Sequence, residues 1–125
     1  MIPRYRAWNK EFKEMVRVDA LLLEEEVIKA TYKNGNVAKE DMKHYDLMQS
    51  TGLTDKIGKE IFEGDVVKMA KNVYSEPTYY EVARHRGGAY RLESKQYGCE
   101  LWLRHADCEI AGNIYENPEL AEVKK

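Results

Sequence analysis

His105, Asp107 and Cys108 bring an imidazole, a carboxylate and a thiol within four positions. Those are the groups that an activated thiol nucleophile with a base would need. Their spacing argues against the pair. On an extended strand, residues two apart share a face, so His105 and Cys108, three apart, point to opposite sides. His44 and His85 are scattered elsewhere and, like His105, read as surface histidines. Cys99 and Cys108 lie nine apart without a Cys-x-x-Cys, so they assemble no standard zinc pattern. Glu24, Glu25 and Glu26 are adjacent carboxylates that cannot all converge on one ion, and they read as a solvated turn or helix face. The chain also lacks a GxxxxGK[ST] phosphate loop, a GxGxxG loop, a GxSxG elbow and an HExxH helix. The expectation is a protein with no catalytic residues, no metal and no cofactor, and hence not an enzyme.

Two groups of residues suit binding instead. Arg84-His85-Arg86-Gly87-Gly88-Ala89-Tyr90-Arg91 interleaves cations with an aromatic ring, as single-strand nucleic-acid binders do. Arg84, Arg86, Tyr90 and Arg91 are therefore the candidate nucleic-acid contacts. Tyr79, Tyr80, Tyr97 and Trp102 could extend the stacking surface; alternatively these rings fill a thin core and the arginines solvate a hairpin. The second group is Trp8 and Trp102. Tryptophans and the nine tyrosines offer amphipathic contact area of the kind enriched at protein interfaces. They are the candidate interaction or homo-oligomer anchors; capping of the core is the competing reading for Trp8.

Composition limits what must position these residues. A chain of 125 residues, 43% hydrophobic and 34% charged, supports a modest folded core under a densely charged surface. The net charge is only −2. Residues 1–50 carry nine basic and nine acidic side chains, and residues 51–125 carry eleven and thirteen. No global positive excess marks a duplex DNA binder, although a local basic patch remains compatible. The longest apolar run, Ala20 to Leu23, is far short of the ~20 residues a membrane span requires. The first residues lack the apolar stretch of a signal peptide. The expectation is a cytoplasmic protein with no membrane association and reduced cysteines.

The pattern is mostly β. Short strands are expected at Arg4–Trp8, Met15–Leu23 and Val27–Tyr32, with Val16, Val18, Ala20 and Leu22 on one side. A helix over residues 19–32 competes, because Leu, Glu and Ala favour helix and Leu23, Val27 and Ala30 fall near one face. Asn34-Gly35-Asn36 marks a turn. No clean pattern covers Val37–Met48, and Tyr45, Leu47 and Gln49 start a strand running into Thr51. Beyond a turn at Asp55–Gly58, Ile61-Phe62 forms a short strand or bridge. Further strands follow at 65–71, 78–86, 88–94, 100–105 and 108–115. Glu76-Pro77 breaks one connection, Gly87-Gly88 makes a hairpin, and Asn117-Pro118 starts a helix. Strands spaced at about ten residues suggest a small barrel or sandwich.

Two motifs punctuate this pattern: Thr51-Gly52-Leu53-Thr54-Asp55-Lys56-Ile57-Gly58-Lys59-Glu60-Ile61-Phe62-Glu63-Gly64-Asp65-Val66-Val67, and Ile110-Ala111-Gly112-Asn113-Ile114-Tyr115-Glu116-Asn117-Pro118-Glu119-Leu120. Gly52, Gly58, Gly64 and Gly112 sit where tight turns need positive φ. Asp55 and Asp65 are placed to accept from nearby backbone N–H groups. Ile61, Val66, Val67, Ile110 and Ile114 read as core. With Arg6-Ala7-Trp8, the two motifs resemble the YopX-like family of small phage and prophage proteins of unassigned function. Where that family often has Asp after the Trp, this chain has Asn9, which makes similar turn hydrogen bonds.

The resemblance implies an SH3-like β-barrel in the C-terminal part, residues 49–125, ending in a short helix. It also implies a small N-terminal β or α+β subdomain, residues 1–48, that serves oligomerisation. No catalytic residue is assigned in the family. The expected role is a phage or prophage accessory protein that binds a host or phage protein without catalysis. Weak nucleic-acid binding through the 84–91 hairpin is the alternative.

Overall fold

A computed structural model of the chain describes residues 4–70, 76–85, 88–94 and 98–121. The chain is mainly β and divides into two compact units, residues 1–50 and 51–125.

In the N-terminal unit, β1 (Tyr5–Asn9), β2 (Glu14–Leu22), β3 (Val27–Thr31) and β4 (Val37–Asp41) form an antiparallel meander, and β5 (Tyr45–Thr54) adds beside β1. The helix considered over 19–32 does not form. Its centre is a tight turn in which Glu26 takes φ 57 and donates its backbone N–H to Leu23 O at 3.2 Å. The three glutamates thus sit on a turn, and residues on either side pair as strands. A register shift between Val18 and Ala20 changes the phase of β2. Val16 and Val18 face the core, but beyond the shift Leu21 lies opposite the buried Ile28, so Leu21 rather than Ala20 or Leu22 packs inward. A bulge inserts one residue and so exchanges the faces of all that follow. The core of this unit gathers Ala7, Val16, Ile28, Ala30 and Tyr45.

In the C-terminal unit, the end of β5 runs beside β6 (Glu60–Phe62). A second antiparallel sheet has the order β10-β9-β8-β7-β11, built from β7 (Asp65–Met69), β8 (Thr78–Arg84), β9 (Tyr90–Glu93), β10 (Gly98–Glu100) and β11 (Glu109–Asn113). Among the described residues neither sheet closes on itself. The expected strand at 100–105 is instead one helical turn, α1 (Leu101–Arg104), followed by a 3-10 turn at His105–Asp107. Leu101 is fully buried and Leu103 is exposed, a split that strand alternation forbids and a helical turn permits. The helix expected at Asn117-Pro118 is α2 (Pro118–Ala121). Ile61, Val67, Val82, Leu92, Leu101 and Cys108 are fully buried in the core of this unit. Among the described residues, no helix is long and apolar enough to cross a membrane.

Candidate functional site

The two motifs that carry the resemblance turn out to be built from local backbone support. Asp55 Oδ1 accepts from the backbone N–H groups of Ile57 and Lys59 at 3.0 and 2.9 Å, and Oδ2 accepts from Ile110 N–H at 3.0 Å. Burial alone would raise its pKa. The three N–H donors, with the Lys59 charge, more than offset that and hold the carboxyl below its ordinary value. Asp65 Oδ2 accepts from Phe62 N–H at 2.8 Å across the Glu63-Gly64 turn, where Gly64 has φ 89. Asn113 Oδ1 accepts from Tyr115 and Glu116 N–H at 3.0 and 2.8 Å, closing the last turn before α2. Gly112 is an exception to the positive-φ expectation. It is needed because the Asn117 side chain lies against its Cα and would collide with any Cβ. Among the predicted core residues, Ile61, Val66 and Val67 are buried, whereas Ile110 and Ile114 are half-buried.

The thiol and imidazole do not meet as a nucleophile and base. His105 Nδ1 donates to Thr54 O at 2.7 Å, whereas Cys108 Sγ donates to Arg104 O at 3.3 Å. Burial pushes the Cys108 thiol up to about 11 and raises that of Cys99. Both cysteines are free. Thiols so protonated are poor nucleophiles. Among the described residues, no three His, Cys, Asp or Glu side chains group as metal ligands.

The candidate nucleic-acid residues divide between two faces. Arg84 pairs with Tyr90, and Ala83 with Arg91, across the β8–β9 hairpin. Adjacent residues on a strand oppose one another. Tyr90 therefore shares a face with Leu92 and packs against the core, while Arg91 points to the other side. There Arg91 Nη1 meets Glu100 Oε1 at 2.6 Å, and its Nε meets Glu93 Oε1 at 3.3 Å. Arg84 is exposed at the hairpin end, and Arg86 lies outside the described residues, as does Tyr97. Tyr80 is buried in the core and Tyr79 is half-buried. No shared stacking surface is assembled from Tyr90, Arg91 and Tyr80.

The tryptophans differ. Trp8 is half-buried, opposite Met15 on β2 and Asp46 on β5. Trp102 is 65% exposed and its neighbour Leu103 is 59% exposed, both on α1. A further exposed apolar side chain, Ile57 at 68%, sits in the Asp55 turn. That turn lies against the segment following α1: Lys56 N–H donates to Cys108 O at 2.8 Å, beside the His105–Thr54 bond. Two adjoining segments of the C-terminal unit therefore carry three large apolar side chains that its core does not use. On the same two segments and β11, Lys56 pairs with Glu109 at 3.8 Å and Arg104 with Asp107 at 3.1 Å.

Sequence reasoning missed a site in the N-terminal unit. Tyr32 and Tyr45 Oη lie 2.6 Å apart and stand 3.0 and 2.8 Å from Glu40 Oε1, so two phenolic protons serve three contacts, in which the carboxylate accepts. Asn9 Nδ2 donates to Tyr32 Oη at 2.9 Å, and Asn9 Oδ1 accepts from Glu11 and Phe12 N–H at the β1–β2 turn. Burial, then the bonds to Tyr32 and Glu40, push the Tyr45 phenol well above its ordinary pKa. This network backs a groove of about 520 Å³ lined by Phe12, Glu14, Tyr32, Asn34, Val37 and Glu40, among others. Only strand pairing brings these residues together, so linear spacing carried no signal for them.

The chain matches the model of the YopX protein family over residues 4–122. It is similar to the crystal structure of protein EF1440 from Enterococcus faecalis, with TM-score 0.66 and 30% identity, covering 97% of this chain and 99% of that one. It is also similar to the crystal structure of protein yopX from Bacillus subtilis, with TM-score 0.62 and 22% identity, covering 94% and 96%. At that identity the second likeness speaks to fold alone. No curated protein matches the chain. The match over nearly the whole chain, with the same motifs serving as its structural turns, places this protein in the YopX family.

Proposed function

We propose that this protein is a non-catalytic protein-interaction module of phage or prophage origin, working in the cytoplasm of a host cell. The observation that carries the reading is the apolar set on α1 and the Asp55 turn. Trp102, Leu103 and Ile57 are 59–68% exposed beside a core that is already filled by Leu101, Cys108 and Ile61. Large apolar side chains grouped on a surface favour contact with another protein, where burying one contributes about 1.5–3 kcal/mol. In this reading the C-terminal unit is an SH3-like barrel domain, supported by its short antiparallel strands and tight turns. The nucleic-acid alternative is less favoured, because Arg91 is held by two carboxylates and Tyr90 by the core.

The test is affinity purification of the tagged chain from its host after nuclease treatment, beside the variant carrying Trp102→Ala and Leu103→Ala. The expected result is a discrete protein partner retained by the unsubstituted chain and lost from the folded variant. Equal recovery with both, or recovery that collapses with nuclease, contradicts the proposal. Self-association anchored at Trp8 belongs to the same reading. It predicts that an untagged copy is retained with the tagged one, and failure to retain it removes the oligomer.

A further inference from the structure

The groove of the N-terminal unit has the chemistry of a cation receptor. Its lining residues bring two carboxylates, Glu14 and Glu40, and no lysine or arginine. Glu40 is fixed at the back by the hydroxyls of Tyr32 and Tyr45, which both meet its Oε1. Glu14 lies half-buried at the start of β2, its backbone paired with Asn9, and its carboxylate makes no hydrogen bond or ion pair with any described residue. A carboxylate left unpaired in a groove gains from a cationic partner.

The apolar lining indicates which cation. Phe12, 63% exposed at the β1–β2 turn, and Tyr32 offer ring faces, and Val37, 70% exposed at the start of β4, offers a surface for an aliphatic stem. A guanidinium stacks on aromatic rings, bonds a carboxylate through two parallel N–H groups, and is more weakly hydrated than an ammonium. Two lysines close to the lining residues in the chain are engaged with other carboxylates: Lys39 Nζ is 3.7 Å from Glu25, and Lys10 Nζ is 3.4 Å from Asp46.

We infer that this groove binds an arginine side chain presented by a partner protein, with Glu14 and Glu40 facing the guanidinium and Phe12, Tyr32 and Val37 packing its plane and stem. The inference rests on the interaction-module reading only for the source of the arginine. The groove and the Trp102 surface belong to different units and are tested separately.

The test is a titration of the full chain with acetyl-Gly-Arg-Gly-amide, followed by NMR, against the isosteric citrulline peptide. Citrulline keeps the shape and removes the charge. The expected result is saturable shifts at Phe12, Glu14, Tyr32 and Val37, with binding at least tenfold tighter than for citrulline. Glu14→Gln is expected to weaken the arginine peptide by about five- to tenfold. Phe12→Ala, which alters an exposed side chain, is expected to weaken it without disturbing the resonances of the Tyr45 core. Absence of shifts at these residues, equal binding of the two peptides, or full affinity in both folded variants would overturn the inference. None of these outcomes depends on Trp102, so loss of the groove leaves the proposed interaction role to its own test.

Discussion

At the residue scale, Asp55 shows how one side chain organises a motif. Its carboxylate gathers backbone N–H groups from its own turn and from β11, 55 residues away. Its folded pKa lies below the ordinary value, so the charged form is the one that stabilises the fold. That contribution is complete above the unfolded pKa of about 3.9 and is lost as pH falls through the lower folded value. Asp55→Asn places an amide where only an acceptor fits. It is expected to lower stability at neutral pH by on the order of 1–3 kcal/mol. Urea unfolding at neutral pH and at about pH 3 checks this, and the gap between the two proteins should narrow in acid. An equal gap at both pH values would show that the charge is not what the turn uses. The bonds to Ile57 and Lys59 were legible in the spacing Asp55-Lys56-Ile57-Gly58-Lys59, because they close within four residues. The bond to Ile110 was not, since only the folded topology creates it. The same limit hid the Tyr32–Tyr45–Glu40–Asn9 network, whose members come from three strands and a following turn.

At the element scale, the alternation of apolar residues located most strands; it left β4 unmarked, because Lys39, Glu40 and Asp41 crowd that strand with charge, and it failed at two further places for physical reasons. In β2 the bulge near Asp19 exchanges faces, and a period-2 pattern cannot register an inserted residue. At residues 101–104, Leu-Trp-Leu-Arg has the composition of a strand but closes a helical turn through the His105 N–H bond to Leu101 O. The turn buries Leu101 and releases Trp102 and Leu103 to the surface. It predicts opposite behaviour from two leucines that a strand would treat alike. Leu101→Ala is expected to cost about 2–5 kcal/mol, the range for a cavity in a packed core. Leu103→Ala should remain within about 0.5 kcal/mol of the unsubstituted protein. Denaturant melts of both variants decide this. Similar losses for the two would mean that residues 101–104 pack as an extended strand.

For the whole molecule, composition and motif order were enough to indicate a mainly β member of the YopX family, because the Asp55–Gly58 and Glu63-Gly64 stretches of its central motif fold as the turns their residue types announce. The net charge of −2 shows no global positive excess, and Arg91 is engaged by Glu100. What the sequence could not reveal was which aromatic residues remain on the surface, since Trp8, Tyr80, Tyr90 and Trp102 look alike in a linear pattern and only packing separates them. Exposure of Trp102, Leu103 and Ile57 is therefore the feature on which the functional reading depends. Photo-crosslinking in the host tests it most directly, with a benzophenone amino acid placed at Leu103, at Ile57, and at the exposed Glu24 as control. The account predicts one dominant, nuclease-resistant protein adduct shared by positions 103 and 57 and absent at 24. No adduct at 103 or 57, or the same adducts from all three positions, would contradict a protein-binding role for this surface.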